Sequence, residues 1–191
     1  TLAVEFVAGG WKIKALLKEI VLSAAFCQAS NTTSETFERD PENVLLSRGP
    51  SFRVSAEVLR DSALAAAGLL SERIGGPSAK PWQPEGIWGD AGATGSYTPD
   101  SGPDAHRRSL YTFKKRTAPP PNMQIFDASA GEKCLARRQA TNTPLQQLVL
   151  LNDPVFFECA RGLALRVTKE SDLPEARIAR AFALLAAREA R

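Results

Sequence analysis

The sequence predicts a mainly α fold, a single helical domain carrying one long irregular loop rich in Gly, Pro and Trp. Two observations predict the helices: apolar residues recur at three- and four-residue spacing in several separate segments, and capping residues stand just ahead of most of them. A third predicts the loop, because of the 13 Gly and 13 Pro residues twelve fall between Gly75 and Pro103. At 191 residues, 43% hydrophobic and 24% charged, the chain is long enough to bury one core, short for two, and too apolar to be disordered. Its longest apolar stretches, Ala63 to Leu70 and Ala181 to Ala187, fall far below the ~18 consecutive apolar residues of a membrane span.

Taken in order, Leu2, Val4, Phe6 and Val7 run into Gly9-Gly10 and read as the last turn of a helix and its stop. From Trp11 to Gln28, residues Ile13, Leu16, Leu17, Ile20, Val21 and Ala24 share one stripe, the clearest helix in the chain. Residues 29–43, rich in Ser, Thr and Asn and without an apolar repeat, read as an exposed connection. Ser55 caps the next helix, and Leu59, Ala63, Ala66 and Leu70 form its buried stripe before Gly75-Gly76-Pro77 ends it. Small Ala63, Ala66, Ala67 and Gly68 allow another element to come close.

The loop from Gly75 to Pro103 exceeds the ~12–15 residues of ordinary connections, and its Trp82, Trp88 and Tyr97 argue that part of it packs down. A short element is expected around Leu110 to Phe113, and Pro119-Pro120-Pro121 imposes extended chain. Thr143-Pro144-Leu145-Gln146 is a capping box that opens a helix through Leu151. Asp153-Pro154 repeats the start signal for a helix with Phe156, Cys159, Ala160, Leu163 and Val167 on one face. Asp172-Leu173-Pro174-Glu175 opens the last helix, whose Ile178, Ala181, Phe182 and Leu185 repeat until Arg191 with no terminating Gly. Both ends read as cut, so residues 1–191 are expected to form one domain that is part of a larger one.

Composition excludes several chemistries. The 24 Lys and Arg against 21 Asp and Glu leave +3, too little to point to nucleic acid, and no reading helix for a duplex is evident. One His and three Cys leave little from which to build the usual triads or zinc sites in their common forms, and no metal and no cofactor is expected in the chain. Gly-rich nucleotide loops, heptad runs and internal repeats are missing.

Arg60-Asp61, Gly75-Gly76-Pro77-Ser78, Gln83-Pro84-Glu85-Gly86-Ile87-Trp88, Arg107-Arg108-Ser109-Leu110-Tyr111-Thr112-Phe113, Phe126-Asp127, Arg137-Arg138 with Thr141-Asn142-Thr143-Pro144-Leu145-Gln146, and Leu150-Leu151-Asn152-Asp153-Pro154 together carry a family likeness. From Leu2 to Arg188 the chain resembles the C-terminal "PSD-one" domain of unknown function in planctomycete cytochrome-C-type multidomain proteins. The resemblance implies a much larger secreted or periplasmic protein, extracytoplasmic, with neighbouring domains that often include a c-type haem domain, and no established activity. The haem part is not in this sequence, which holds no Cys-x-x-Cys-His. Two departures from the family pattern are Phe26-Cys27, where an aromatic is usual, and the stop at Arg191.

The candidate sites come from the residues themselves. Arg137-Arg138 ahead of Thr141-Asn142-Thr143 places two guanidinium forks before a helix N-terminus, a setting for sulfate or carboxylate, although structural pairing with Asp61, Asp127 or Asp153, or capping of carbonyls, is the favoured reading. With Arg107 and Arg108 they belong to a locally basic stretch from His106 to Arg138, where eight Lys and Arg stand against Asp127 and Glu132. The anion-binding candidates are therefore Arg107, Arg108, Arg137, Arg138 and Asn142.

Trp82, Trp88 and Tyr97 are candidates for an aromatic platform against sugar rings, with Gln83 and Glu85 to accept hydroxyl protons, or else they anchor the loop. Cys134, beside Lys133, reads first as a free thiol packed as a small hydrophobe; the alternatives are His106 as its base or Cys159 as a disulfide partner, with a third Cys left over and no pair fixed by the sequence. Among Glu85, Asp90, Asp104, Asp127 and Glu132 no spacing marks an acid and its partner, and Asp100 and Asp104 around Gly102 lack full calcium-ligand spacing. Two functions compete: a non-catalytic module that binds anionic polysaccharide or scaffolds neighbouring domains, and a hydrolytic domain acting on sulfated or uronic polysaccharide around Arg137, Arg138 and Asp127.

Overall fold

A computed structural model describes residues 1–90, 92, 95–131 and 134–189, which fall into two compact units, Thr1–Arg53 and Val54–Arg191. The architecture is mainly α, as the sequence predicts, and among the described residues β pairing is confined to isolated bridges. No helix among them is long and apolar enough to cross a membrane.

The first unit holds α1 (Leu2–Ala8), α2 (Ile13–Val21) and α3 (Ser34–Arg39). Helix α2 stops at Val21 rather than running to Gln28, because Ser23 diverts the backbone into turns. Its hydroxyl donates to the Ile20 carbonyl at 2.7 Å and accepts from the Phe26 N–H at 3.2 Å. The connection expected at residues 29–43 contains α3, started by Thr33 accepting from the Thr36 N–H at 3.2 Å and carrying a Glu35–Arg39 pair at 2.9 Å. Buried Asp40 then shapes the following turn, taking the N–H groups of Val44 and Leu45 at 2.8 and 2.9 Å.

The second unit begins with α4 (Ala56–Ala67), capped by Ser55. It ends well before Gly75, because Gly68 adopts φ +74°, where a side chain is strained, and turns the chain so that the N–H groups of Leu69 and Leu70 both return to the Leu64 carbonyl. After it come α5 (Ile87–Asp90), 3-10 turns at Gly102–Asp104 and Ser109–Tyr111, α6 (Pro121–Ile125), α7 (Pro144–Asn152), α8 (Pro154–Glu170) and α9 (Pro174–Ala186). The triple proline is extended only up to its last member, which opens α6 where no N–H is needed. Helix α9 ends in a left-handed Ala187, short of Arg191, which lies outside the described residues.

Helix α4 packs chiefly on α8, and both meet α9. Leu64, fully buried, with Ala67 and Cys159 forms one cluster, and Ala56, Met123, Phe126 and Phe156 form another. The close approach of α4 and α8 falls at Gly162, where a Cβ would lie 3.1 Å from the Ala67 Cβ. The 75–103 loop is tied down by backbone bonds: Ala79 N–H to the Tyr111 carbonyl and Phe113 N–H to the Ala79 carbonyl, both 2.7 Å, and Asp100 N–H to the Lys80 carbonyl at 2.8 Å.

Candidate functional site

Two arginines organise the surroundings of the site from inside. Arg60, from α4, is 3% exposed and donates to the carbonyls of Arg107 at 2.9 Å and Ala105 at 2.7 Å and to the Ser109 hydroxyl at 3.2 Å. Its neighbour Asp61 accepts from the Ser109 N–H and hydroxyl, each at 2.7 Å. Arg107, 1% exposed, donates to the carbonyls of Gly75 and Pro77 and lies 4.0 Å over the Tyr111 ring, while the Tyr111 hydroxyl takes the Gly75 N–H at 3.0 Å. The Gly75-Gly76-Pro77 turn is thus built around a guanidinium, and Arg107 faces inward rather than toward an external anion.

The other anion-binding candidates lie at the surface. Arg138 meets both oxygens of Glu57, at 2.8 and 2.9 Å, and Glu57 ionises below its ordinary range: burial opposes this, but hydrogen bonds from its own backbone, Arg138 and Ser55 outweigh it. Arg108, Arg137 and Asn142 are exposed, and among the described residues no carboxylate pairs with either arginine. Asp127 is engaged by Thr141, whose N–H donates at 2.8 Å and whose hydroxyl lies 2.9 and 3.0 Å from the two carboxylate oxygens. Gln146, 1% exposed, completes this link: its amide donates to the Ile125 carbonyl at 2.8 Å and the Thr141 hydroxyl at 3.1 Å, and its oxygen caps α7 through the Thr143 N–H at 3.1 Å.

The three aromatic candidates divide. Trp88 packs against Tyr97 and Phe113 with ring centroids 5.3 and 5.8 Å apart and carries Lys115 at 4.5 Å over its face, so these rings pin the loop. Trp82 is 40% exposed and stands at a cavity of about 360 Å³, within the range of small-ligand sites. One wall is the strap Trp82, Gln83 and Pro84; another is Asn122 and Ile125 of α6; the third is the α7–α8 junction, from Leu148 and Val149 to Asn152 and Asp153. Two family motifs, Gln83 to Trp88 and Leu150 to Pro154, meet there across the fold. Among the described residues no Lys or Arg lines the cavity. Its one charged group among the described residues, Asp153, caps α8 through the Val155 N–H at 2.9 Å, and burial raises its carboxyl pKa against hydrogen bonds from Val155, Phe156 and Asn122.

Among the described residues no hydrogen bond links a cysteine to His106. His106 pairs with Glu158 at 3.1 Å, and the three cysteines are free, Cys27 and Cys134 exposed and Cys159 buried. The Cys134–Cys159 bridge, one of the alternatives for Cys134, is therefore not formed, and Cys134 is exposed rather than packed; Glu132 and Lys133, named with these candidates, lie outside the described residues. Burial pushes the Cys159 thiol up to about 11. An alkylating reagent at pH 8 is expected to modify Cys27 and Cys134 rapidly and Cys159 only on denaturation; rapid labelling of all three thiols in the native protein would contradict this placement. Among the described residues no three His, Cys, Asp or Glu gather as metal ligands.

Fold and site together define a mainly α domain with an aromatic-lipped, largely apolar cavity and, among the described residues, no assembled catalytic group. The family described as PSD1, protein of unknown function (DUF1553), matches residues 1–191, and the chain belongs to it. No curated protein and no solved structure matches the chain.

Proposed function

We propose that the domain is a non-catalytic recognition module of a larger extracytoplasmic polypeptide, and that it holds a saccharide in the cavity beside Trp82. The observation that carries this reading is the cavity itself: an exposed indole at the lip, an apolar floor, and side-chain amides on facing walls. Sugars ask for this combination, because their C–H faces pack on aromatic rings while their hydroxyls need several hydrogen-bonding partners. The family resemblance supports the larger polypeptide, in which neighbouring domains, a c-type haem domain among them, would be the module's partners. Recognition is better supported than hydrolysis, because among the described residues no nucleophile is hydrogen-bonded to His106 and Asp127 is held by Thr141.

The cavity favours a neutral sugar over an acidic one, since its charged group is Asp153 and no cation among the described residues lines it. An anionic polysaccharide would have to use exposed Arg108 and Arg137 outside the cavity, and its binding would fall with salt. Titrating neutral and acidic oligosaccharides into the 191-residue chain at two salt concentrations tests the reading. Neutral sugars are expected to bind with little salt dependence, and Trp82→Ala to weaken them by about tenfold or more, equivalent to ~1.4 kcal/mol, with Trp82→Phe intermediate. Salt-sensitive binding of acidic sugars alone, unchanged by Trp82→Ala, would move the site to the basic surface.

A further inference from the structure

Helix α2 carries an apolar row that its own unit leaves uncovered. No apolar side chain of the first unit, Thr1–Arg53, is buried, and the buried apolar residues of the described chain run from Ala56 to Val167. Helix α2 packs on α1, and Leu16 and Ile20 are half-buried. Ile13, Leu17 and Val21, spaced four apart and so on one row of the helix, remain 65, 54 and 43% exposed. Trp11, just ahead of the helix, is 67% exposed with its ring 5.3 Å from that of Phe6, and Leu22 and Phe26 beyond the helix are exposed as well. A contiguous apolar surface of this kind marks a place where something binds.

The charges beside the row point to what binds. Lys14 and Lys18, each one residue on from Ile13 and Leu17, form the adjoining row. Among the described residues no carboxylate lies within ion-pair distance of Lys12, Lys14 or Lys18. Glu19, two residues from Leu17, falls on the opposite side of the helix. A protein partner and a lipid surface could each cover an apolar row, but they favour different flanks. Protein interfaces are depleted in Lys and take their charged contacts from Arg, whereas both cations of α2 and its N-terminal neighbour Lys12 are Lys. The lysine stem follows an apolar surface while its ammonium stays among headgroup phosphates, and an indole settles at the boundary between lipid and water.

We propose that α2 is an interfacial helix that lays Ile13, Leu17 and Val21 on an anionic lipid bilayer, with Lys14 and Lys18 among the headgroup phosphates and Trp11 at the boundary. The domain is then held at a membrane surface without crossing it. This goes beyond the saccharide reading and does not depend on it, because the cavity beside Trp82 is built from residues 82–154 and α2 contributes nothing to it. Each lysine near an anionic surface strengthens binding by about fivefold at low salt, so the pair supplies much of the attraction.

The test is flotation of the 191-residue chain with vesicles of phosphatidylcholine alone and of phosphatidylcholine mixed with phosphatidylglycerol. Partition into the anionic vesicles is expected to be about tenfold or more stronger than into the neutral ones and to fall as salt rises. Replacing Lys14 and Lys18 together by Gln is expected to remove most of that difference, and Leu17→Gln to weaken binding to both kinds of vesicle. Both variants are expected to melt as the parent does, since the exchanged side chains lie outside the buried core. Tryptophan emission should shift to the blue on anionic vesicles, and the shift should disappear in Trp11→Phe with Trp82 and Trp88 still in place. Equal partition into the two vesicles, absence of partition, or binding unchanged in the folded lysine or Leu17 variants overturns the proposal. A dimer in solution that Leu17→Gln dissolves also overturns it and makes a second copy the occupant of the row.

Discussion

Replacing Arg107 by alanine is expected to lower the unfolding free energy by about 3–5 kcal/mol, the loss of two or three hydrogen bonds from a charged donor together with the packing of a buried side chain. Arg107 is 1% exposed, its guanidinium serves the carbonyls of Gly75 and Pro77, and its flat face covers Tyr111 at 4.0 Å. Without it those carbonyls lose their donor, and Gly75 and Gly76, both at positive φ, hold no side chain that could fill the gap. For a chain of this size the loss corresponds to a melting temperature lower by roughly 10 °C or more. Lysine should rescue little, since a single ammonium cannot span two carbonyls and stack on a ring as a planar fork does. Arg138→Ala is the control: its pair with Glu57 is solvent-exposed and worth about 0.2–1 kcal/mol. Thermal and urea unfolding of the three variants makes the comparison, and equal losses at Arg107 and Arg138 would refute it.

Arg60→Ala is expected to cost about 3 kcal/mol and to be non-additive with Arg107→Ala. The Arg60 guanidinium holds the 105–109 segment through two carbonyls and the Ser109 hydroxyl, and one of those carbonyls belongs to Arg107 itself. Burial drives the Arg60 pKa down, opposed by Asp61 at 3.7 Å, so the charge is kept in the interior by its acceptors and that carboxylate. Once either arginine is gone the segment is partly released, and the second removal has less to break. A double variant whose loss equals the sum of the single losses, measured by urea titration, would show that the two arginines act independently.

Much of the helical frame is legible in the sequence. Ser55, the Thr143–Gln146 capping box and the Asp153-Pro154 start each open the helix their residues announce, because capping is chemistry between residues two or three apart. The pattern fails where a local competitor overrides it. Ser23 cuts α2 short against its apolar stripe, and Gly68 ends α4 although Leu70 continues the spacing. Helix α3 escapes the pattern because Glu35, Glu38 and Arg39 leave it no apolar face to read.

The site is less legible. Arg137-Arg138 stands out in the sequence as the structural arginine pair, yet the buried arginines are Arg60 and Arg107, 47 residues apart in the chain. Only the Arg60-Asp61 and Arg107 to Phe113 motifs hint that both matter. Trp82 and Trp88 look alike in a Pro-rich loop, and which ring pins the loop and which meets solvent depends on Phe113 and Lys115, contributed by another segment.

The sequence alone determined the fold class, the starts of the main helices and the position of the long loop, all of which follow from composition and from contacts between near neighbours. The tertiary structure decided which arginines are interior, which aromatic stands at the cavity, and that the three cysteines stay apart, two exposed and one buried. The physical reason is range. Capping and periodicity act within a turn of helix, whereas desolvating a guanidinium or closing a cavity requires groups from distant segments to converge, and that convergence exists only once the core around Leu64 has formed.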